Sequence, residues 1–262
     1  MQELISPLAV VSPKAKLGKD VKIGPFSVIH DDVEIGDGTI IENGVSIFDG
    51  ARIGKNCHIF PGACISPVPQ DLKFHGEYTT TEIGDNTVLR ECVTVHRATA
   101  SKKVTHVGSN CLVMAYCHIA HDCWVNDNVI MSNCVQMAGE VVVEHNAVIG
   151  GGALIHQFTH IGEYCMIQGG TPLNKDVPPF TMAARIPACY VGLNTVGLRR
   201  NGFTTDQIVN IQEMYRLIYM SGLNTTHAVE RIVQEFPEST ERDIIVNFIK
   251  GSDRGIIKGF IG

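Results

Sequence analysis

The sequence predicts a mainly-β chain, a prism-shaped solenoid of short strands closed by a small C-terminal α-helical domain. Branched aliphatic residues recur every six positions through most of the chain. A small or β-branched residue stands two positions before them, and from about Phe180 the beat gives way to helical spacing.

The beat starts at Val11 and continues through Leu17, Ile23, Ile29, Ile35, Ile41, Ile47, Ile53, Ile59 and Ile65. It returns at Ile83, Leu89 and Val95, then runs unbroken from Val107 through Ile119, Met131, Met137 and Ile155 to Leu173. A period of six is neither the 3.6 of a helix nor the 2 of an isolated strand. It fits three flat faces, each offering one inward aliphatic, with about 18 residues completing a coil. Each inward aliphatic contributes roughly 1.5–3 kcal/mol on burial. Glycine often follows it (Gly18, Gly24, Gly36, Gly54, Gly84, Gly108, Gly150, Gly162), and this is read as a corner needing an unusual backbone angle. Cys57, Cys111, Cys117, Cys123 and Cys165 fall on the small inward phase and are read as compact apolar filler.

The beat fails over 66–80 ("SPVPQDLKFHGEYTT") and 96–106 ("HRATASKKVTH"), which are read as loops thrown out from the prism. A solenoid over 1–190 and a helical domain over 191–262 follow from the patterning, with "VGLNTVGLRRNGF" as the joint. "TTDQIVNIQEMYRLIYMSG" has an N-cap at Thr204 or Thr205 and a stop at Gly222. "NTTHAVERIVQEF" and "STERDIIVNFIKG" read as two further helices.

Composition narrows the function classes. Of 262 residues 44% are hydrophobic and 18% charged, and the net charge is −6, which favours neither nucleic acid nor an anionic membrane surface. The opening "MQELISPLAVV" has no basic n-region and no long apolar core, and no apolar run approaches the roughly 18 residues of a membrane span. Nine cysteines without a CxxC pair argue against a disulfide framework or zinc ribbon, so a reduced, cytoplasmic setting is expected.

"CHIAHDC" (117–123) poses the chemical question. In the unbroken run, residues 18 apart stack on successive coils, so His121 lies beneath Gly139 and Gly139 beneath Gln157, with His156 beside it. All three fall two positions after the inward aliphatic, at an outward-facing corner about 4.8 Å apart per coil. His121 then has three readings. It could be a polar corner residue without a role, one of three zinc ligands with His96 and His118, or a general base oriented by Asp122. HxxH on a strand suits a metal poorly, because residues three apart face opposite sides unless a corner intervenes. Imidazole suits general-base work, because its ordinary pKa lies near working pH.

The six-residue repeat resembles the left-handed parallel β-helix of the hexapeptide-repeat acyltransferases, and the handedness comes from that resemblance alone. The ordered set "QDLKFHGE" (70–77), "VTVHRAT" (93–99), "CHIAHDC", "MAGEV" (137–141), "ALIHQF" (153–158) and "GLRRNGF" (197–203) resembles, over nearly the whole chain, the UDP-N-acetylglucosamine O-acyltransferase family of lipid A synthesis. The resemblance implies transfer of a 3-hydroxyacyl group from acyl carrier protein to the 3-hydroxyl of UDP-N-acetylglucosamine. No cofactor or metal and no acyl-enzyme are implied. In the family's pattern His121 matches the base, Asp122 its orienting partner and Gly139 the backbone oxyanion donor. Asp71, Lys73, His96, His118, His156 and Gln157 match substrate-positioning residues. Asn194 matches a uracil contact, Arg200 a phosphate or carrier contact, and Gly169 the position that limits acyl length, which implies a long chain. Glu140, Pro187, Val196 and Asn201 depart from better-known members, and so put nucleotide contacts in question. Homotrimers with sites at subunit clefts are implied, with Arg199, Arg200, Lys250, Arg254 and Lys258 as docking cations for the acidic carrier. The alternatives are the later N-acyltransferase of the pathway, an enzyme using a diamino sugar, a zinc-dependent hydratase-like trimer and a non-catalytic solenoid.

Overall fold

A computed structural model describes residues 4–259; the first and last three residues of the predicted domains lie outside the described residues. Three parallel sheets form the walls of a triangular prism, and each wall takes every third strand of the chain. The first face carries Val10–Val11, Val28–Ile29, Ser46–Ile47, Cys64–Ile65, Thr94–Val95, His118–Ile119, Gln136–Met137, Leu154–Ile155 and Pro172–Leu173. The second runs from Lys16–Leu17 to His160–Ile161 and the third begins at Lys22–Ile23.

The inward aliphatics of the six-residue beat make the core. Ile47, Ile59, Ile65, Leu89, Ile119, Met131 and Ile149 are all 0% exposed. Replacing Ile119 by alanine is expected to destabilise the protein by about 2–5 kcal/mol. An unchanged denaturant midpoint would show that coils repack without the column.

The corners correct one sequence reading and extend another. The glycines after the aliphatics are there for close approach rather than for an unusual angle: a Cβ on Gly36 would lie 2.6 Å from the carbonyl carbon of Gly54, and one on Gly84 2.5 Å from the Ser109 nitrogen. The left-handed residue comes two positions later, as at Asn110 (φ 56°), Asp122 (φ 60°), Asn128 (φ 61°) and Glu140 (φ 61°). The inward cysteines are buried but more than filler. Cys117 donates its S–H to the Ser132 carbonyl at 3.0 Å and Cys123 to the Ala138 carbonyl at 3.2 Å. Thr39 and Thr87 do the same with hydroxyls at their own corners. Burial pushes the Cys111 thiol up to about 11 and the Cys123 thiol to about 12, so neither is a nucleophile at neutral pH.

Both excursions leave one corner, the passage from the first face to the second. Ser46 pairs with Cys64 and His118 with Gln136 at the normal coil spacing, but Cys64 pairs with Thr94 and Thr94 with His118. The extra residues therefore sit directly before the corner occupied by His121. Thr80 and residues 104–106 belong to strands rather than to the excursions.

The third face ends differently. Thr181–Ala184 extends it, Cys189–Leu193 turns back antiparallel, and Lys258–Gly259 returns to pair with that strand. The strand Cys189–Leu193 thus runs across residues 190 and 191. Helix α1 (Thr195–Arg200) lies within the joint and is followed by α2 (Thr205–Met220), α3 (Thr225–Glu235) and α4 (Thr240–Lys250). Of the two N-cap candidates Thr204 and Thr205, Thr204 caps α2, through a capping box with Gln207. Among the described residues no helix is long and apolar enough to cross a membrane.

Candidate functional site

The site is built on the corner after the first face, where stacked coils bring His121 and Gly139 together. The imidazole lies against Gly139: a Cβ there would come within 2.4 Å of Cε1 and 2.6 Å of Nε2. Only glycine admits the ring. The Glu140 N–H donates to the His121 carbonyl at 3.0 Å and the Phe158 N–H to the Gly139 carbonyl at 3.2 Å, so three coils are registered at this edge. The Gly139 N–H donates to no partner among the described residues.

His121 was expected to face outward but is only 9% exposed, because the first excursion folds over it. Its Nδ1–H donates to Asp122 Oδ2 at 2.8 Å, while Nε2 stands 3.7 Å from the Asp71 carboxylate. This sets the tautomer, leaving the Nε2 lone pair open. Asp122 itself is fully buried and also accepts from the Thr99 hydroxyl at 2.7 Å, the Thr99 N–H at 3.1 Å and the Lys102 N–H at 3.1 Å. Burial pushes its carboxyl upward, but the hydrogen bonds from His121, Thr99 and Lys102 outweigh that and hold it below the usual carboxylate range. A buried, ionised aspartate thus fixes the imidazole.

Two further histidines stand beside it, with ring centroids of His96 and His118 5.1 Å apart, edge to face. His96 Nδ1–H donates to the Val68 carbonyl at 2.9 Å, and His118 Nδ1 is 2.7 Å from the Thr94 hydroxyl. Burial, then the neighbouring His96 and His121, lower His118 to about 4, and burial lowers His96 as well. His118 is therefore neutral near pH 7. His156 donates Nδ1–H to the Gln157 carbonyl at 3.0 Å. Between His118 and His156 a cavity of ≈ 690 Å³ opens along the first face, lined by the outward-facing Gln136, Leu154 and Pro172 and bounded by Ile186 and Pro187. Among the described residues no three His, Cys, Asp or Glu side chains are grouped to hold a metal ion.

His121, Asp122, Gly139, Asp71, His96, His118, His156 and Gln157 thus share one edge of the prism. Lys73 is exposed in the first excursion, its N–H on the Asp71 carboxylate at 2.9 Å. The remaining predicted residues lie elsewhere in the chain. Gly169 stacks against Gly151 at the opposite edge of the first face, where a Cβ would meet the Gly151 carbonyl at 3.0 Å. Asn194 is used by the fold: its Oδ1 accepts from the Gly197 N–H, capping α1, and its Nδ2 donates to the Tyr164 carbonyl. Arg200 is exposed at the end of α1. The supports of the histidines (Thr94, Thr99, the Lys102 amide and the Val68 carbonyl) escaped the sequence reading. Their one signal was that the two excursions begin at the His121 corner.

Residues 176–257 match the family model described as UDP-N-acetylglucosamine O-acyltransferase, domain 2, and residues 14–49 and 105–139 match the bacterial transferase hexapeptide model. The acyl-(acyl-carrier-protein)–UDP-N-acetylglucosamine O-acyltransferase of Sulfurihydrogenibium is 56% identical over 96% of this chain and 93% of its own. The enzyme of the same name from Chlorobium phaeobacteroides is 56% identical over 96% of both chains. A solved UDP-N-acetylglucosamine acyltransferase from Bacteroides fragilis superposes with a TM-score of 0.95 at 49% identity, covering 97% of this chain and 99% of that one.

Proposed function

The chain belongs to the UDP-N-acetylglucosamine O-acyltransferase family, and on that premise we propose how its corner site works. His121 is the general base, and a long 3-hydroxyacyl group passes from acyl carrier protein directly to the 3-hydroxyl of UDP-N-acetylglucosamine, the first step of lipid A synthesis. The observation that carries this reading is the pairing of an Asp122-oriented imidazole with the unpartnered amide of Gly139.

A sugar hydroxyl is a weak nucleophile until its proton leaves. His121 Nε2 takes that proton as the oxygen attacks the thioester carbonyl. The Gly139 N–H donates to the developing oxyanion, a role typically worth about 10²–10³ in rate. Collapse breaks the C–S bond, and the imidazolium returns the proton to the departing thiolate. Asp122 stabilises the imidazolium, and Asp71, 3.7 Å from Nε2, is placed to hold a neighbouring sugar hydroxyl. Neutral His118 and His96 line the approach as hydrogen-bonding groups without adding charge. The ≈ 690 Å³ cavity suits an acyl chain, since the apolar Leu154, Pro172, Ile186 and Pro187 line it.

Three copies around a threefold axis would complete the site. Gly169, at the far edge of the first face, then limits the acyl chain from a neighbouring copy, and Arg200 reaches a site across the cleft. Arg199, Lys250 and Lys258 remain candidate docking cations for the carrier; the Arg254 guanidinium is engaged with the Asn174 carbonyl. Replacing Gly169 by methionine is expected to shift donor preference toward shorter acyl chains, read from competition between 3-hydroxyacyl carrier proteins. Unchanged chain selectivity removes that role.

The reading is tested with purified protein, UDP-N-acetylglucosamine, its diamino analogue and a panel of 3-hydroxyacyl carrier proteins, with and without chelator. Transfer to the sugar 3-hydroxyl, greatest for long donors and indifferent to chelator, is expected. Activity lost to chelator with stoichiometric zinc would favour a hydratase-like trimer. Transfer only to an acylated glucosamine nucleotide would favour the N-acyltransferase.

A further inference from the structure

We propose that Glu140 is a positioning residue for the His121–Asp122 pair, acting through the 99–102 turn and not on the sugar. The inference rests on the base assignment above. Glu140 occupies a left-handed corner position (φ 61°), where glycine or asparagine fits at lower cost. Its side chain is nevertheless only 19% exposed, because it is turned onto the second excursion. There Oε1 accepts from the Ser101 hydroxyl at 3.1 Å, and Oε2 stands 3.9 Å from Lys102 Nζ.

The tethered turn is the one that holds Asp122. Thr99 supplies its N–H and hydroxyl to the Asp122 carboxylate, and Lys102 its N–H. From the other side, Glu77 of the first excursion accepts from the Ala100 N–H at 2.9 Å. Two carboxylates on different segments thus grip one turn, and the turn supplies three of the four donors that orient Asp122. A turn released at Ser101 and Lys102 leaves the aspartate, and with it the imidazole, free to sample other orientations. Displacements of this order cost rate rather than binding.

The experiment compares Glu140→Gly, Glu140→Gln, Ser101→Ala and the Glu140→Gly/Ser101→Ala double variant with wild type, measuring kcat, KM for both substrates and the thermal midpoint. Glu140→Gly removes the tether and relieves the left-handed backbone at once. Its kcat is expected to fall about tenfold with both KM values little changed, while the thermal midpoint holds or rises. Glu140→Gln keeps an acceptor for Ser101 and should retain most of the rate. Ser101→Ala should fall with Glu140→Gly, and the double variant should be no slower than either single one. A Glu140→Gly enzyme with wild-type kcat overturns the proposal. So does a raised KM for the sugar nucleotide at unchanged kcat, which would make Glu140 a substrate contact, or a loss of kcat that tracks a falling thermal midpoint. Wild-type protein inactive on the sugar nucleotide would instead overturn the base assignment itself.

Discussion

His121→Ala is expected to lower kcat for acyl transfer by about 10²–10⁴ while leaving the coil intact. The side chain is anchored at Nδ1 to a carboxylate that keeps three other donors, so its removal opens no break in the backbone ladder. Nothing else within the corner replaces it. His118 is pushed down to about 4 and His96 is lowered too, and each has its Nδ1 committed to a neighbour. Circular dichroism should be unchanged and KM for the sugar nucleotide altered only modestly, because the base acts on the transition state. Transfer by the alanine variant at more than a tenth of the wild-type rate would remove His121 from the proton's path.

Gly139→Ala should be nearly as damaging, for a different reason. Alanine keeps the amide N–H, so the oxyanion donor survives chemically. Its Cβ, however, would sit 2.4 Å from Cε1, 2.6 Å from Nε2 and 3.0 Å from Nδ1 of His121, distances that real contacts do not tolerate. Nδ1 is tied to Asp122 at 2.8 Å, so the ring cannot turn aside without breaking that bond. Either the imidazole leaves its seat or the two coils separate at this corner. We expect kcat to fall by about 10²-fold or more, with far-UV circular dichroism retained. A Gly139→Ala enzyme close to wild type would mean that the imidazole is elsewhere during turnover.

The large-scale architecture was legible because one physical requirement, an aliphatic on every face of every coil, is written at a fixed period. The same period carried the chemistry part of the way. His121, Gly139 and Gln157 are 18 apart, and the structure stacks their coils on one edge. What the period could not show is what lies off it. Both excursions are aperiodic, so the cover over His121 and the grip of Thr99 and Lys102 on Asp122 are signalled only by where the excursions begin. The corner glycines misled because two needs select glycine: close packing of coils, and a left-handed angle. The sequence suggests the second, and the structure assigns all eight of these positions to the first. Asn194 matches a ligand contact by motif, and its side chain also caps α1 and donates to the Tyr164 carbonyl, a structural use the motif does not show. The short helix α1 and the antiparallel strand Cys189–Leu193 of the third face were invisible for a similar reason: each is too short to develop a period of its own.

The central claim is that one imidazole, held by a buried aspartate over a bare glycine, moves the proton in a single direct transfer. Rapid-quench single-turnover reactions on excess enzyme test it most directly, with intact-protein mass and sugar-nucleotide product followed together for wild type and His121→Ala. The account predicts product acylated at the 3-hydroxyl forming in step with donor loss, no acylated protein at any time, and almost no product from the variant. Acylated protein appearing before product, or a variant that keeps pace with wild type, would contradict it.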